Sequence, residues 1–338
     1  MILDNRIKEI LAEKGKECKW LAQLLRKPVS LIKKWCENKV KPSFPTLETI
    51  ANSLNIETRD TILQIHEIMK NNIDKETAIR SIVRSAVKSY ANGFSTRHLS
   101  EVDDENGVIN MKIHNVFIAA LGPEIQYYSA LARSLDSSLG NMLEDMAISI
   151  AMLNYDVSQH VEGTLYKEQT DYIAELLEAY KRSTNRRIPR VDDYRGITRR
   201  RGQAETKRHE SDYYLVDKET GMHYLIELKI GGDLDNKKAR SEKEALLEQY
   251  CILTNELGED NVKILFATAY NRFGEGRPWR QGRVRQFFSE DELCISSDFW
   301  NLVCKSDRGY DIVIDEYKNN AHYINEALDE IKHAYLPQ

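Results

Sequence analysis

The sequence predicts an α/β chain of the α+β kind, an all-α N-terminal domain followed by a core with a mixed β-sheet flanked by helices. Three observations predict it. Apolar residues recur at helical spacing through roughly the first 180 positions, the spacing turns to alternation from Ser211, and Val262 to Ala269 is a short run of continuously apolar character. At 338 residues the chain has room for about two domains. We place one at 1–70 and the other at 71–338, the latter divided into a helical part at 71–182 and an α/β core at 183–338.

The first helices are read at Arg6 to Lys14, Glu17 to Arg26, Ser30 to Asn38 and Thr46 to Leu54, with Ile7, Ile10, Leu11, Leu21, Leu24, Leu25, Ile32, Trp35, Leu47, Ile50, Ala51 and Leu54 recurring at helical spacing. Helices this short need a shared core. A helical middle follows from Asp74 to Tyr90 and from Asn115 to Tyr155, with a connection near Gly93 to Gly107 and a further helix from Thr170 to Lys181. In the α/β part, Asp212 to Val216 and Met222 to Ile230 form a hairpin through the polar turn Lys218 to Gly221. A charged helix then runs from Asn236 to Leu257, and Val262 to Ala269 reads as a strand buried on both faces.

Composition narrows the function. With 41% apolar and 30% charged residues, a disordered, fibrous or membrane-embedded chain is excluded, and an acid at Asp4 stands where a secretion signal would be basic, so we expect a cytoplasmic protein. The five cysteines form no C-x-x-C pair and read as buried thiols. Net charge is −5, yet the segment Lys181 to Arg208 carries +8. Positive charge is thus concentrated, as a polyanion partner requires.

The hairpin turn, centred between Glu219 and Thr220, sets Asp212 directly opposite Glu227. Cross-strand partners have Cβ atoms roughly 4.5–5.5 Å apart, so two carboxylates share one small volume. A divalent cation turns that repulsion into coordination, and hard oxygen donors suit Mg²⁺ with positions open for water and phosphate. Lys229 shares the strand face with Glu227, while Tyr224, Ile226, Leu228 and Ile230 hold the other. The constellation fits metal-assisted phosphodiester hydrolysis. The competing reading is a pair of solvated residues on an exposed strand face.

Two resemblances extend these readings. Leu21-Ala22, Leu25, Ile32, Trp35, Pro42 and the run Leu47-x-x-Ile50-Ala51-x-x-Leu54 resemble the Cro and phage-repressor type of helix-turn-helix, which implies that Ser30, Lys33 and Lys34 face a major groove. Arg26 stands where that turn often has Gly. Ser211-Asp212, a 14-residue gap and Glu227-Leu228-Lys229 resemble the PD-(D/E)XK nuclease signature, with Ser in place of Pro. Together with Leu246-Leu247-Glu248, Ala269-Tyr270-Asn271, Pro278-Trp279 and Asp298-Phe299-Trp300, they resemble the TdeIII-like family of type II restriction endonucleases.

That resemblance implies a homodimer that cleaves double-stranded DNA with Mg²⁺ at a short palindrome such as GGNCC, leaving 5′-phosphate ends. It implies a partner DNA methyltransferase acting on the same site. It makes Asp212 and Glu227 metal ligands and Lys229 the catalytic lysine. It also brings in Glu144 as a third metal ligand, in competition with a role as a helix-start acid facing the helix dipole. The DNA-contact candidates are Arg199, Arg200 and Arg201 before the hairpin, Arg240 and Lys243 on the helix after it, and Arg277, Arg280 and Arg283 beyond the buried strand. The alternatives are a repair nuclease without a fixed site, and a DNA-binding regulator with an inactive nuclease-like domain.

Overall fold

The fold described here is a computed structural model covering residues 3–71, 73–182, 184–231 and 236–336. Contacts gather the chain into two compact units, 1–149 with 311–338, and 150–310. The boundary read at 182/183 falls inside the second unit, and residue 183 lies outside the described residues.

The first unit opens with α1 (Ile7–Glu13), α2 (Cys18–Leu25), α3 (Val29–Cys36) and α4 (Phe44–Leu54). Ile7, Ile10, Leu21, Ile32, Leu47 and Ile50 are fully buried between them, which supplies the tertiary packing that such short helices lack alone. Arg26 ends α2 in the left-handed region at φ 52°. This explains the usual glycine there, because a side chain at that φ is strained. Cys18 and Cys36 are half-buried, with sulfurs 3.6 Å apart, and so depart from the buried-thiol reading that Cys251, Cys294 and Cys304 follow.

Helices α5 (Leu63–Lys70) and α6 (Lys75–Ser100) come next. Asp74 caps α6 by accepting from the Thr77 N–H at 3.1 Å. The helix runs through Gly93, where a connection was expected, since Tyr90, Ala91 and Phe94 are buried and tertiary packing overrides the glycine's weak propensity. After α7 (Val116–Ala119), α8 spans Pro123–Ala151 without a break. Ser138 and Ser149 bond back to the carbonyls of Ser134 and Asp145, so the serines join the helix instead of interrupting it.

The second unit holds a five-stranded sheet in the order β1 (Tyr155–Tyr166), β2 (Ala204–Asp217), β3 (His223–Lys229), β4 (Val262–Thr268) and β5 (Leu293–Ile295). Strands β1 to β3 pair antiparallel and β3 to β5 parallel, as a mixed sheet. Strand β1 corrects the helical reading of 71–182. Its buried residues Tyr155, Val161 and Leu165 lack the period-two spacing that marks a half-buried strand.

Helices α9 (Lys167–Lys181), α10 (Arg195–Thr198) and α11 (Asn236–Leu257) follow in order, and α12 (Gly282–Arg285) and α13 (Ser297–Cys304) complete this unit. One sheet face packs Leu225, Ile264 and Phe266 on Leu246, Leu247 and Tyr250 of α11 and Leu177 of α9. Helix α11 lies so close to β1 that a Cβ on Gly163 would come within 2.7 Å of Ile252. On the other face Tyr213 meets the Phe299 ring edge-on, and Trp300 donates to the Ala269 carbonyl at 2.8 Å. Both faces of β3 are therefore covered. Helices α14 (Gly309–Asn320) and α15 (His322–Tyr335) return the chain to the first unit, where Glu330 accepts from Ser95 and Glu316 pairs with Arg84.

Candidate active site

The hairpin register is the one that the turn dictates: Tyr213 pairs with Ile226, Tyr214 with Leu225 and Val216 with His223. Continuing it by one step puts Asp212 opposite Glu227, and the Leu228 N–H donates to Asp212 Oδ2 at 3.1 Å across the two strands.

A feature that sequence reading missed sits behind Asp212. Between the pairs Ser158–Tyr214 and His160–Glu210, the single β1 residue Gln159 stands opposite Ser211, Asp212 and Tyr213 of β2. Asp212 is therefore the middle residue of a bulge, a device that re-aims a side chain. The Gln159 side-chain amide donates to the Asp212 carbonyl at 3.3 Å, which occupies an acceptor in this irregular stretch. The signal for it lay in β1, a strand the periodicity did not show.

Glu227 is only 8% exposed, in the central strand of the sheet. The solvated-face reading does not hold for it. Burial first, and then the charge of Asp212, push its carboxyl up to about 8, against the opposing pull of Lys229. Lys229 contacts Glu227 Oε1 directly and reaches Glu242 Oε1 at 3.5 Å. Burial disfavours its charge, but Glu227, Asp212 and Glu242 outweigh that and hold it above the ordinary lysine range. Glu242, in the second turn of α11, was not foreseen, because a charged helix offers many acids and only the fold selects this one.

The cluster is thus two carboxylates in enforced proximity with a lysine on one of them. Such a pair fits a hard divalent cation, since bringing one in relieves the repulsion that raises Glu227 and replaces its proton. Among the described residues no group of three or more His, Cys, Asp or Glu converges as a metal site. Two carboxylates leave positions for water and phosphate, as suits Mg²⁺. Glu144 lies on α8 in the first unit, well inside the helix and not near its start, so dipole complementation does not account for it.

The cationic candidates divide. Ser30, Lys33 and Lys34 are exposed along α3, and Arg199, Arg277, Arg280 and Arg283 are exposed around the second unit's loops. Arg200 lies over the Tyr172 ring at 4.0 Å and Arg201 over the Tyr166 ring at 4.9 Å. Arg201 also donates to Asn255 Oδ1 at 2.6 Å, and Arg240 pairs with Glu178 at 3.1 Å. Lys243 is a correction. It is fully buried, ion-paired with Glu292, and cannot reach DNA. The i, i+4 spacing that puts Leu246, Leu247 and Tyr250 inward carries Lys243 with them. Trp279, Phe287 and Phe288 are core residues.

The fold and the candidate site point to one class, the phosphodiester hydrolases. The family described as type II restriction endonuclease, HinfI, matches residues 58–321, well over half of the chain. The chain belongs to that family, and so is a restriction endonuclease, a site-specific hydrolase of phosphodiesters in double-stranded DNA. No curated protein and no solved structure shows a significant match. Among the described residues no helix is long and apolar enough to cross a membrane.

Proposed function

We propose that the chain is the nuclease of a restriction-modification system, a homodimer that uses Mg²⁺ held by Asp212 and Glu227 to cut both strands at a short palindrome and leave 5′-phosphate ends. The observation that carries this reading is the pair formed by the half-buried Asp212 and the buried Glu227 with Lys229 upon it, at the centre of a mixed sheet. The resemblance to TdeIII-like enzymes supports it and supplies a GGNCC-type palindrome as the first sequence to try.

In this reading Asp212 and Glu227 would hold a divalent cation, which would supply Lewis-acid polarisation of the scissile phosphate and a lowered pKa for an attacking water. Asp212 and Glu227 give up their mutual repulsion to hold it. Lys229, kept cationic by three carboxylates, orients the nucleophile and offsets charge on the phosphate as it becomes pentacovalent. The exposed Arg199, Arg277, Arg280 and Arg283 lie along the DNA backbone. The helix-turn-helix reading of α2 and α3 gives Ser30, Lys33 and Lys34 a second DNA contact. A DNA methyltransferase of the same specificity protects the host, with no direct contact to this chain required.

Incubating the purified protein with unmethylated phage DNA, with and without Mg²⁺, and sequencing the ends tests the proposal. Discrete Mg²⁺-dependent fragments sharing one palindrome at their ends are expected. DNA that is bound but intact would favour the regulator, and scattered cuts the repair nuclease.

A further inference from the structure

The segment from Val108 to Gly122 carries one formally charged residue, Lys112, in a chain that is 30% charged. It does not bury its apolar side chains. Met111, Ile113, Val116, Phe117, Leu121 and the nearby Ile125 are 45–83% exposed, Phe117 the most. Nor is the segment loosely held. Asn115 caps α7 by accepting from the Ile118 N–H at 3.3 Å, the Met111 and Ala119 N–H groups donate to the Gly107 and Asn115 carbonyls, and Gly122 turns at φ 96° into Pro123, the first residue of α8. An ordered apolar surface of this extent marks an interaction face.

Beside it, in the same unit, lies a groove of about 560 Å³ whose walls include Ile109, Ile113, Tyr127, Tyr335 and the exposed acids Asp103 and Glu105. A protruding aromatic and a mostly apolar groove next to it on one surface form a self-complementary pair. About a two-fold axis, what one copy projects the other receives. We propose that this face docks a second copy of the chain, with Phe117 of each copy seated in the groove of the other.

The area supports that occupant. With a fully exposed aromatic offering roughly 150–250 Å², the six side chains present on the order of 600 Å², and the groove walls bring this near the ~800 Å² per partner of a stable interface. Charge supports it as well, since a two-fold arrangement can set Lys112 against the partner's acidic wall. The proposal deepens the homodimer reading, on which it rests, by naming the surface that joins the copies.

Sedimentation velocity on the full chain at micromolar concentration tests it, comparing wild type with Phe117→Asp and Val116→Lys, and with Lys229→Ala as a control for loss of cleavage. Wild type and Lys229→Ala are expected at twice the 39.2 kDa chain mass. Both surface variants are expected as monomers with wild-type melting temperatures, the dimer dissociation constant rising at least ~100-fold. A monomeric wild type would overturn both the face and the homodimer. Surface variants that stay dimeric would overturn this face and leave the homodimer standing.

Discussion

Lys229→Ala is expected to lower single-turnover DNA cleavage by ~10²–10⁴-fold while DNA binding stays close to wild type, the range for removing a positioned proton-transfer or charge-stabilising group. Two effects combine. The ammonium that faces the developing charge is lost, and Glu227 loses the cation that pulls its carboxyl down, so it holds its proton more firmly against a metal. Lys229→Arg is expected to recover little, because a planar fork does not replace a compact ammonium between Glu227 and Glu242. Cleavage rates on a defined duplex, with affinity measured in Ca²⁺, separate chemistry from binding. An unchanged rate in Lys229→Ala would place the chemistry elsewhere in the chain.

Lys243→Ala is expected to destabilise the sheet-bearing unit by about 3–5 kcal/mol, a fall in melting temperature of roughly 10 °C for a unit of this size. Lys243 donates to Glu292 and to the Tyr194 hydroxyl, with its ammonium 4.7 Å from the centroids of the Tyr194 and Phe288 rings. Glu292 in turn accepts from the Ser289 N–H at 2.8 Å and its hydroxyl at 3.0 Å. Burial lowers the lysine's affinity for its proton and Glu292 opposes this, so removing one partner strands a charge in the core. Taking both charges away, in Lys243→Met with Glu292→Gln, is expected to recover most of the loss. Thermal melting of the three forms checks it. A single variant as stable as wild type would show that the pair is not closed to water.

These two lysines, fourteen positions apart, show what could be read from sequence and what could not. Lys229 was legible because a short hairpin has arithmetic: turn length fixes register, and register fixes which side chains meet. The observed pairs Tyr213–Ile226 and Val216–His223 follow it. Lys243 misled because a cation on a charged helix looks solvated, and its partner Glu292 is 49 residues away. Long-range pairing of this kind has no local signature. The same limit hid Glu242 beside Lys229 and Gln159 behind Asp212.

Elements fared by the strength of their period. The helix expected from Asn236 to Leu257 has those bounds in the structure. Strand β4 ends one residue earlier than expected and β2 begins eight residues earlier. The extension of β2 is paired only to β1, so missing one strand meant missing half of the other. In α6 the Gly and Ser residues that suggested a connection were overruled by burial on the helix's inner face.

The most direct test of the account is a calorimetric titration of Mg²⁺ into the metal-free protein, comparing wild type with Asp212→Asn and Glu227→Gln. Wild type is expected to bind, and more tightly as pH rises to about 8, since Glu227 must release its proton to the buffer and no further gain remains once it is ionised. Both variants are expected to lose that binding while keeping wild-type melting profiles. Undiminished Mg²⁺ affinity in both variants would contradict the assignment of this carboxylate pair as the metal centre.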